Sequence, residues 1–492
     1  MTEAAGRTQE SVGAGLPASK GLHSAASHPC GLLLSALLLS LCHPTLAQDF
    51  SLDNLSFDGG AFDSASASDD LFAETADRRP AWLRPFTFRL SQQVMAQINP
   101  HSVDLPGDVH IERNAATENS RLSLLTRYQN AFAPGWLLQG SAQAKLYWPG
   151  DYEYRANNEK IDTEFRLNEL FLQRSEGSQS MKLGAQTVVW GENVGNSVLD
   201  VINTSEYRDL SIIDIEDARL NQWLMVWDRF GSNSHLSSFV NLYPEFNPPP
   251  VRGSPFFFEP EFNLTDLHRD KPLFEIGSKM RWSFAGSDVS LMAAYLHENQ
   301  LRYSAPASGM GDAAAQANDF LLLGFSTNRA IGKLLLNLDI AFSHDVLGDF
   351  VATSPLGIKR PVAGKADLIA GTAGFEYAIS NEQSLIAGVS AQTVLDQRLQ
   401  LLPGERLVGG EVTGNVLLRY SNSMRNGDAV LAVTVQSALD AGSLLASVAL
   451  NYTLSNHLAL LTQVIATRAD KDALAAFLDE DVRAGMTLTW SF

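Results

Sequence analysis

The chain has 492 residues, 45% of them hydrophobic, and a formal net charge of −19. A mean hydropathy of −0.06 excludes a bundle of membrane helices but fits a transmembrane barrel, where half of each strand faces water. So negative a chain is not built for nucleic acid. Its two cysteines, Cys30 and Cys42, both lie near the N-terminus, so a processed chain has no disulfide framework.

Residues 1–47 have the layout of a secretory signal peptide: Lys20, an apolar run from Gly31 to Leu41, then Thr45-Leu46-Ala47 before the expected cleavage. At roughly a dozen residues the run is too short to cross a bilayer as a helix. Leu41 precedes Cys42 where a lipoprotein signal wants a small residue. Residues 48–83, rich in Ser, Ala and Asp, read as a flexible acidic periplasmic leader, with a lumen plug as the other reading.

From residue 84 to 492 apolar and polar residues alternate with period two, the mark of strands with unlike faces. Phe86 and Phe88 begin the pattern. Leu138, Ala142, Ala144, Leu146 and Trp148 continue it, then Phe274, Ile276, Met280 and Trp282. Leu334, Leu336, Leu338, Ile340 and Phe342 form another row, as do Leu444, Val448, Leu450, Tyr452 and Leu454. Short turns fall at 133–135, 176–178, 231–234, 285–287, 380–381 and 455–456. Long loops lie between them, near 98–119, 149–161, 190–221, 244–272, 298–317, 343–365, 395–410 and 468–480. This alternation predicts a transmembrane antiparallel up-and-down β-barrel of about 18 strands, with 16 as the alternative count. Aromatic residues near strand ends, such as Trp136, Trp148, Trp282 and Phe284, suit interfacial girdles.

The last strand places Val482, Ala484, Met486, Leu488, Trp490 and Phe492 in one apolar row. Such a strand with a terminal Phe resembles those of bacterial outer-membrane barrels. The resemblance implies that Trp490 and Phe492 belong to a signal read by the barrel assembly machinery. It also implies the outer membrane of a Gram-negative bacterium, with its lipid and lipopolysaccharide as surroundings.

Three groups of residues are candidates for function. Arg89, Arg121, Arg127, Lys145, Arg166, Lys182, Lys279 and Arg281 fall on the polar rows of the earlier strands. A charge facing lipid costs ~2–4 kcal/mol at midplane, so these side chains are expected inside. They form a basic lumen wall suited to anionic solutes, or they pair with Glu164, Asp228 and Glu275 to stabilise a filled lumen. Later polar rows are mixed, with Asp339, Glu376, Glu411 and Arg419.

The loop near 190–221 is the second group. Val198, Leu199, Val201, Ile202, Ile212, Ile213 and Ile215 are too apolar to remain in solvent. The loop either folds into the lumen as a constriction or packs over the barrel mouth. Trp190, Glu192, Asp200, Asn203, Arg208, Asp214, Glu216, Asp217 and Arg219 are its candidate lining residues. Their carboxylate spacing is not that of an EF-hand, and no metal or cofactor is assigned. The third group is the proline-stiffened outer segment with Phe256, Phe257, Phe258 and Phe262, suited to catching an apolar ligand or to packing among loops.

Trp190-Gly191-Glu192 closing a strand, followed by Asp200-Val-Ile-Asn203, resembles an uncharacterised family of proteobacterial outer-membrane barrels, domain of unknown function 1302. Thr204 stands where that family often has proline. The resemblance implies a channel for hydrophobic or amphipathic molecules, with a periplasmic lipid carrier and an inner-membrane pump as partners. The histidines are scattered and no nucleophile motif accompanies them, so no catalytic residue is assigned. Together these features predict a porin-like channel for a small amphipathic anion, in a trans-envelope lipid or metabolite export system. A scaffold barrel without transport is the alternative, and a barrel-borne lipid hydrolase comes third.

Overall fold

The computed structural model describes residues 80–492, apart from 106–108, 157–160, 194–196, 207, 212–218, 255, 258–263, 270–271, 305–312, 354, 356–358, 399–402, 405, 409–411, 440–441 and 471–473. The signal peptide 1–47 and the leader 48–79 lie outside the described residues, as do Asp214, Glu216, Asp217, Phe258, Phe262 and Glu411.

One antiparallel sheet of nineteen strands carries the structure. Arg406–Val408 is a three-residue outer strand on the edge of a hairpin; nineteen minus this one leaves eighteen wall strands. In order they are β1 Phe86–Gln97, β2 Ala116–Ala133, β3 Trp136–Tyr147, β4 Asp162–Glu176, β5 Gln179–Gln186 and β6 Gln222–Phe230. Then come β7 Ser234–Asn241, β8 Glu275–Phe284, β9 Ser287–His297, β10 Asp319–Ile331, β11 Leu334–Thr353 and β12 Lys359–Ala378. The ring is completed by β13 Gln383–Arg398, β14 Val412–Met424, β15 Ala429–Ala438, β16 Ser443–Ser455, β17 Leu458–Ala469 and β18 Val482–Ser491. Each pairs with the next, and β1 pairs with β18 from Arg89↔Ser491 to Gln97↔Arg483. The sheet is therefore a closed barrel without an edge.

Closure ends on aromatic rings. The Phe88 amide donates to the Phe492 carbonyl and the Phe492 amide to the Phe88 carbonyl, both at 3.0 Å. The two rings stack at 5.5 Å, and Trp490 lies 4.8 Å from Phe492.

Register fixes which rows face out. Val94 lies opposite Met486 and Leu90 opposite Trp490, and these apolar side chains are on the outside. Met486 is 58% exposed, whereas Arg483 on the inner row is 2% exposed. Among the described residues, outward-facing charges on the wall keep to strand ends, such as Arg174, Arg229 and Arg329 beside the short turns, or to the part of the β11–β12 hairpin beyond its bulge, such as Lys365 and Asp367. A closed wall with a charge-free apolar belt can only be covered by hydrocarbon. The protein is a closed transmembrane β-barrel of eighteen strands.

Short and long connections alternate as the sequence implies, except that β15 and β16 are joined by 439–442 only and β11 and β12 by 354–358. Two further turns, 332–333 and 425–428, were not marked by it. The loop expected over 343–365 is instead a hairpin. Strands β11 and β12 run on past a bulge between Ser343 and Val346 and stay paired from Val346↔Ala366 to Thr353↔Lys359.

Candidate constriction site

The site is built by the 187–221 connection, here called the strap, which joins β5 to β6. Its first half closes on itself: Asn203 accepts from the Val188 amide and donates to the Val188 carbonyl, both at 2.9 Å. That clip forces the intervening residues out as a lobe, and the lobe goes inward. Trp190 is 2% exposed and meets Phe239 of β7 edge to face at 5.6 Å. Leu199 and Ile202 are buried with Leu224, Val226, Met292, Leu296, Phe320, Leu322 and Ala341. On β6, β7, β9 and β11 those partners include the inward row, as the register from Val226↔Lys182 through Phe239↔Gly277 to Gly324↔Ala341 requires. The strap thus packs on the inner wall, and the reading in which it only covers the mouth is set aside. Burying each large apolar side chain stabilises this by ~1.5–3 kcal/mol.

The lobe's tip is held by Asp339, on the inner row of β11 and fully buried. Its carboxylate accepts from the Glu192 amide at 3.2 Å, the Asn193 amide at 3.2 Å, the Asn193 side-chain amide at 3.3 Å and the Ser326 hydroxyl. Gly191 has φ +96°, and a Cβ there would lie 1.8 Å from Ser197 Oγ, so only glycine makes this turn. Glu192 in turn accepts from Asn328 Nδ2 at 3.0 Å and lies 3.5 Å from the Lys279 ammonium.

The strap's second half meets β2–β4 through charge. Arg208 reaches Glu206, Glu164 at 3.2 Å and Glu153 at 3.5 Å. Arg166 bonds Glu164 at 2.8 Å and Glu206 at 2.6 Å. Arg121 bonds Asp151 at 2.9 Å and Asp209 at 2.6 Å. Lys145 stands opposite Glu164 in the ladder. Burial alone would raise the strap's carboxylates, but Arg208 and Arg166 hold Glu206 below its usual range, and Arg121 does so for Asp209. Burial wins at Glu153, which is pushed up to about 7 despite Arg208. Burial likewise raises Asp200, only partly offset by Arg219 at 2.8 Å.

All eight cations of the expected basic wall sit on inward rows, but the wall is not openly basic. Arg121, Arg166, Lys279 and Arg281 face Asp209, Glu206, Glu192 and Asp288 respectively. Lys182 lies over the Phe171 ring at 5.3 Å. Arg89 and Arg127 face inward by register, both away from the strap's ion network. Of the three wall carboxylates expected as partners, only Glu164 pairs with these cations. Asp228 takes His235, and Glu275 accepts from Asn241 and the His297 amide. The carboxylates that pair with these cations from outside the wall rows, Glu206, Asp209 and Asp151, were not singled out for this role in the sequence. Glu206-x-Arg208-Asp209, charged within an apolar loop, was the available signal.

The outer aromatic segment also joins the strap. Phe256 meets Phe477 at 6.0 Å, edge to face, over buried Leu210 and Leu478. The Ser254 hydroxyl donates to the Arg208 carbonyl at 2.7 Å, and the Phe257 amide closes a turn on Ser254.

His110–Asp104, His235–Asp228 and His344–Asp367 are hydrogen-bonded His–Asp pairs, set far apart in the chain. His344, Asp345 and Asp367 bring ligand-type atoms within 4.8 Å of one another at the outer rim, with the Lys365 ammonium 3.6 Å from Asp345.

No protein-family model matches the chain, and no curated protein sequence does. Solved structures do. Pseudomonas aeruginosa OccK8 (OprE) is 10% identical over 83% of this chain and 98% of its own, with a TM-score of 0.48. Acinetobacter baumannii OccAB3 is 11% identical over 83% and 99%, with a TM-score of 0.47. OmpT, an outer-membrane protein of Vibrio cholerae, is 10% identical over 83% and 97%, with a TM-score of 0.38. The assignment of the fold rests on the hydrogen-bonded ring itself.

Proposed function

We propose that the barrel is a porin-like channel for small amphipathic anions, narrowed by the strap. The observation that carries this reading is the strap's position: it packs on the inner faces of β6–β11 and is tied by ion pairs to β2–β4, so any passage runs beside it. The facing rows of β14–β18 are of mixed character. Leu417, Leu445 and Ile465 alternate there with Thr434, Gln436, Ser447, Gln463 and Thr467. Among the described residues the charges on those inward rows are Arg419 and Arg483. Aliphatic patches beside amides and hydroxyls suit a solute with an apolar body; of the two arginines, both buried in the inner wall, Arg483 is held by Asp481 at 2.9 Å.

The resemblance to the 1302 barrels extends the proposal to an export route supplied by a periplasmic lipid carrier and an inner-membrane pump. Purified barrel in planar bilayers tests the core of it: openings are expected, with a reversal potential in a salt gradient that favours anions. Silence, with or without residues 190–221, would replace the channel by a trans-envelope scaffold. The apolar contact of Leu210, Phe256, Phe477 and Leu478 among the outer loops is the feature that favours that second reading.

A further inference from the structure

We propose that Asp339 is a latch that sets the bore of the barrel, by fixing the tip of the strap to β11. The proposal rests on the channel reading and adds the residue that determines its width.

Asp339 is an inner-wall carboxylate with no ammonium or guanidinium at ion-pair distance among the described residues. Its partners are hydrogen-bond donors, and three of the four come from the strap: the amides of Glu192 and Asn193 and the Asn193 side chain. A buried anion met this way cannot be left without its donors cheaply, because a lost charged hydrogen bond costs more than a neutral one. The latch therefore holds only while the Gly191–Asn193 turn is in place; Asn328 and Lys279 steady Glu192 from the neighbouring strands, but Asp339 is the group that takes both backbone amides of the turn.

The wall is shaped for the same position. Three inward glycines on alternate strands each leave room for one strap side chain. A Cβ on Gly277 of β8 would come within 2.8 Å of Trp190 Cη2, one on Gly324 of β10 within 2.6 Å of Leu199 Cδ2, and one on Gly374 of β12 within 2.6 Å of Asn193 Oδ1. The Asn193 side-chain amide also reaches the Thr372 carbonyl on β12 at 3.2 Å. Apolar packing positions the body of the strap; Asp339 positions the Glu192–Asn193 tip, which reaches β12 at Thr372. Asp339 is thus a positioning residue for permeation.

Single-channel conductance of the full chain in planar bilayers tests this, with heat-modifiable migration as the check on folding. Four proteins are compared: wild type, Asp339→Ala, a variant lacking residues 190–221, and Asn193→Cys with Asp339→Cys in a chain also carrying Cys30→Ser and Cys42→Ser. Expected are a rise in conductance for Asp339→Ala toward that of the deletion, and wild-type conductance for the oxidised cysteine pair that rises on reduction. A folded Asp339→Ala barrel that conducts like wild type, while the deletion conducts more, overturns the latch and leaves the channel standing. If the deletion conducts no more than a silent wild type, the channel reading fails and the latch fails with it.

Discussion

The indole of Trp190 fills the space that Gly277 leaves open on the facing strand, so that a methyl group at 277 would stand 2.8 Å from Trp190 Cη2 and 2.6 Å from Phe239 Cε1. Neither ring is the end of a flexible chain. Gly277→Ala is expected to cost about 1–3 kcal/mol in unfolding of the detergent-solubilised barrel, the usual range for overpacking. The strap should also become open to limited proteolysis. A variant as stable and as protease-resistant as wild type would mean that Trp190 does not occupy the wall in solution.

Leu199 offers the opposite experiment. It is fully buried between the strap and the wall. Leu199→Ala should destabilise by about 2–5 kcal/mol if the cavity stays unfilled. Denaturant titration followed by tryptophan fluorescence measures it, and a loss below the lower figure would place the strap outside a packed environment.

Acidity acts on the two halves of the charge network in opposite senses. Glu153 has its carboxyl raised by burial from 4.5 to about 7, so the folded chain binds that proton more tightly than the unfolded chain. The stability from this group is fully present below pH 4.5 and is lost as pH rises through about 7. Glu206 and Asp209 are lowered, so their contribution is present above the ordinary carboxylate range and lost on acidification. Glu153→Gln isolates the first term. It should match wild type near about pH 5 and exceed it in stability near about pH 8. Equal stability of the two proteins at both values would remove Glu153 from the buried network.

Lipid cover is testable on β16, where outward and inward residues adjoin. Val448 faces out and is 46% exposed; Ser447 faces in. Val448→Arg should cost ~2–4 kcal/mol in refolding into lipid vesicles, and Ser447→Arg much less. Equal costs would mean that the two rows do not face different media.

Much of this architecture was legible because it depends on local pattern. The period-two row from Val482 to Phe492 identifies the last strand, and the Gly, Ser and Asn residues at 176–178, 231–234 and 285–287 identify turns. The turn at 332–333 escaped because only Gly332-Lys333 separates Ile331 from Leu334 and both neighbours look like strand. The hairpin beyond Ser343 escaped because its bulge shifts the alternation by a step. The strap's apolar content was plain, but its destination was not. Asp339 and Glu192 are 147 residues apart in sequence, and nothing near either names the other. The alternation alone puts the eight cations on the polar rows, yet the pairing of Arg166 and Arg121 with Glu206 and Asp209 depends on where a distant loop comes to rest.

The pairing of β1 with β18 imposes an order of events. Until the final ten residues arrive, the growing sheet has two raw margins able to recruit any stray strand, and the chain needs shelter from its neighbours. The wall strands that grip the strap in its ion pairs and main packing seam fall between β2 and β12, so most of it can be laid on a half-made trough, leaving the contact of Leu210 with Phe477 and Leu478 to the closing segment. The last six strands then wrap a cylinder whose interior is already furnished.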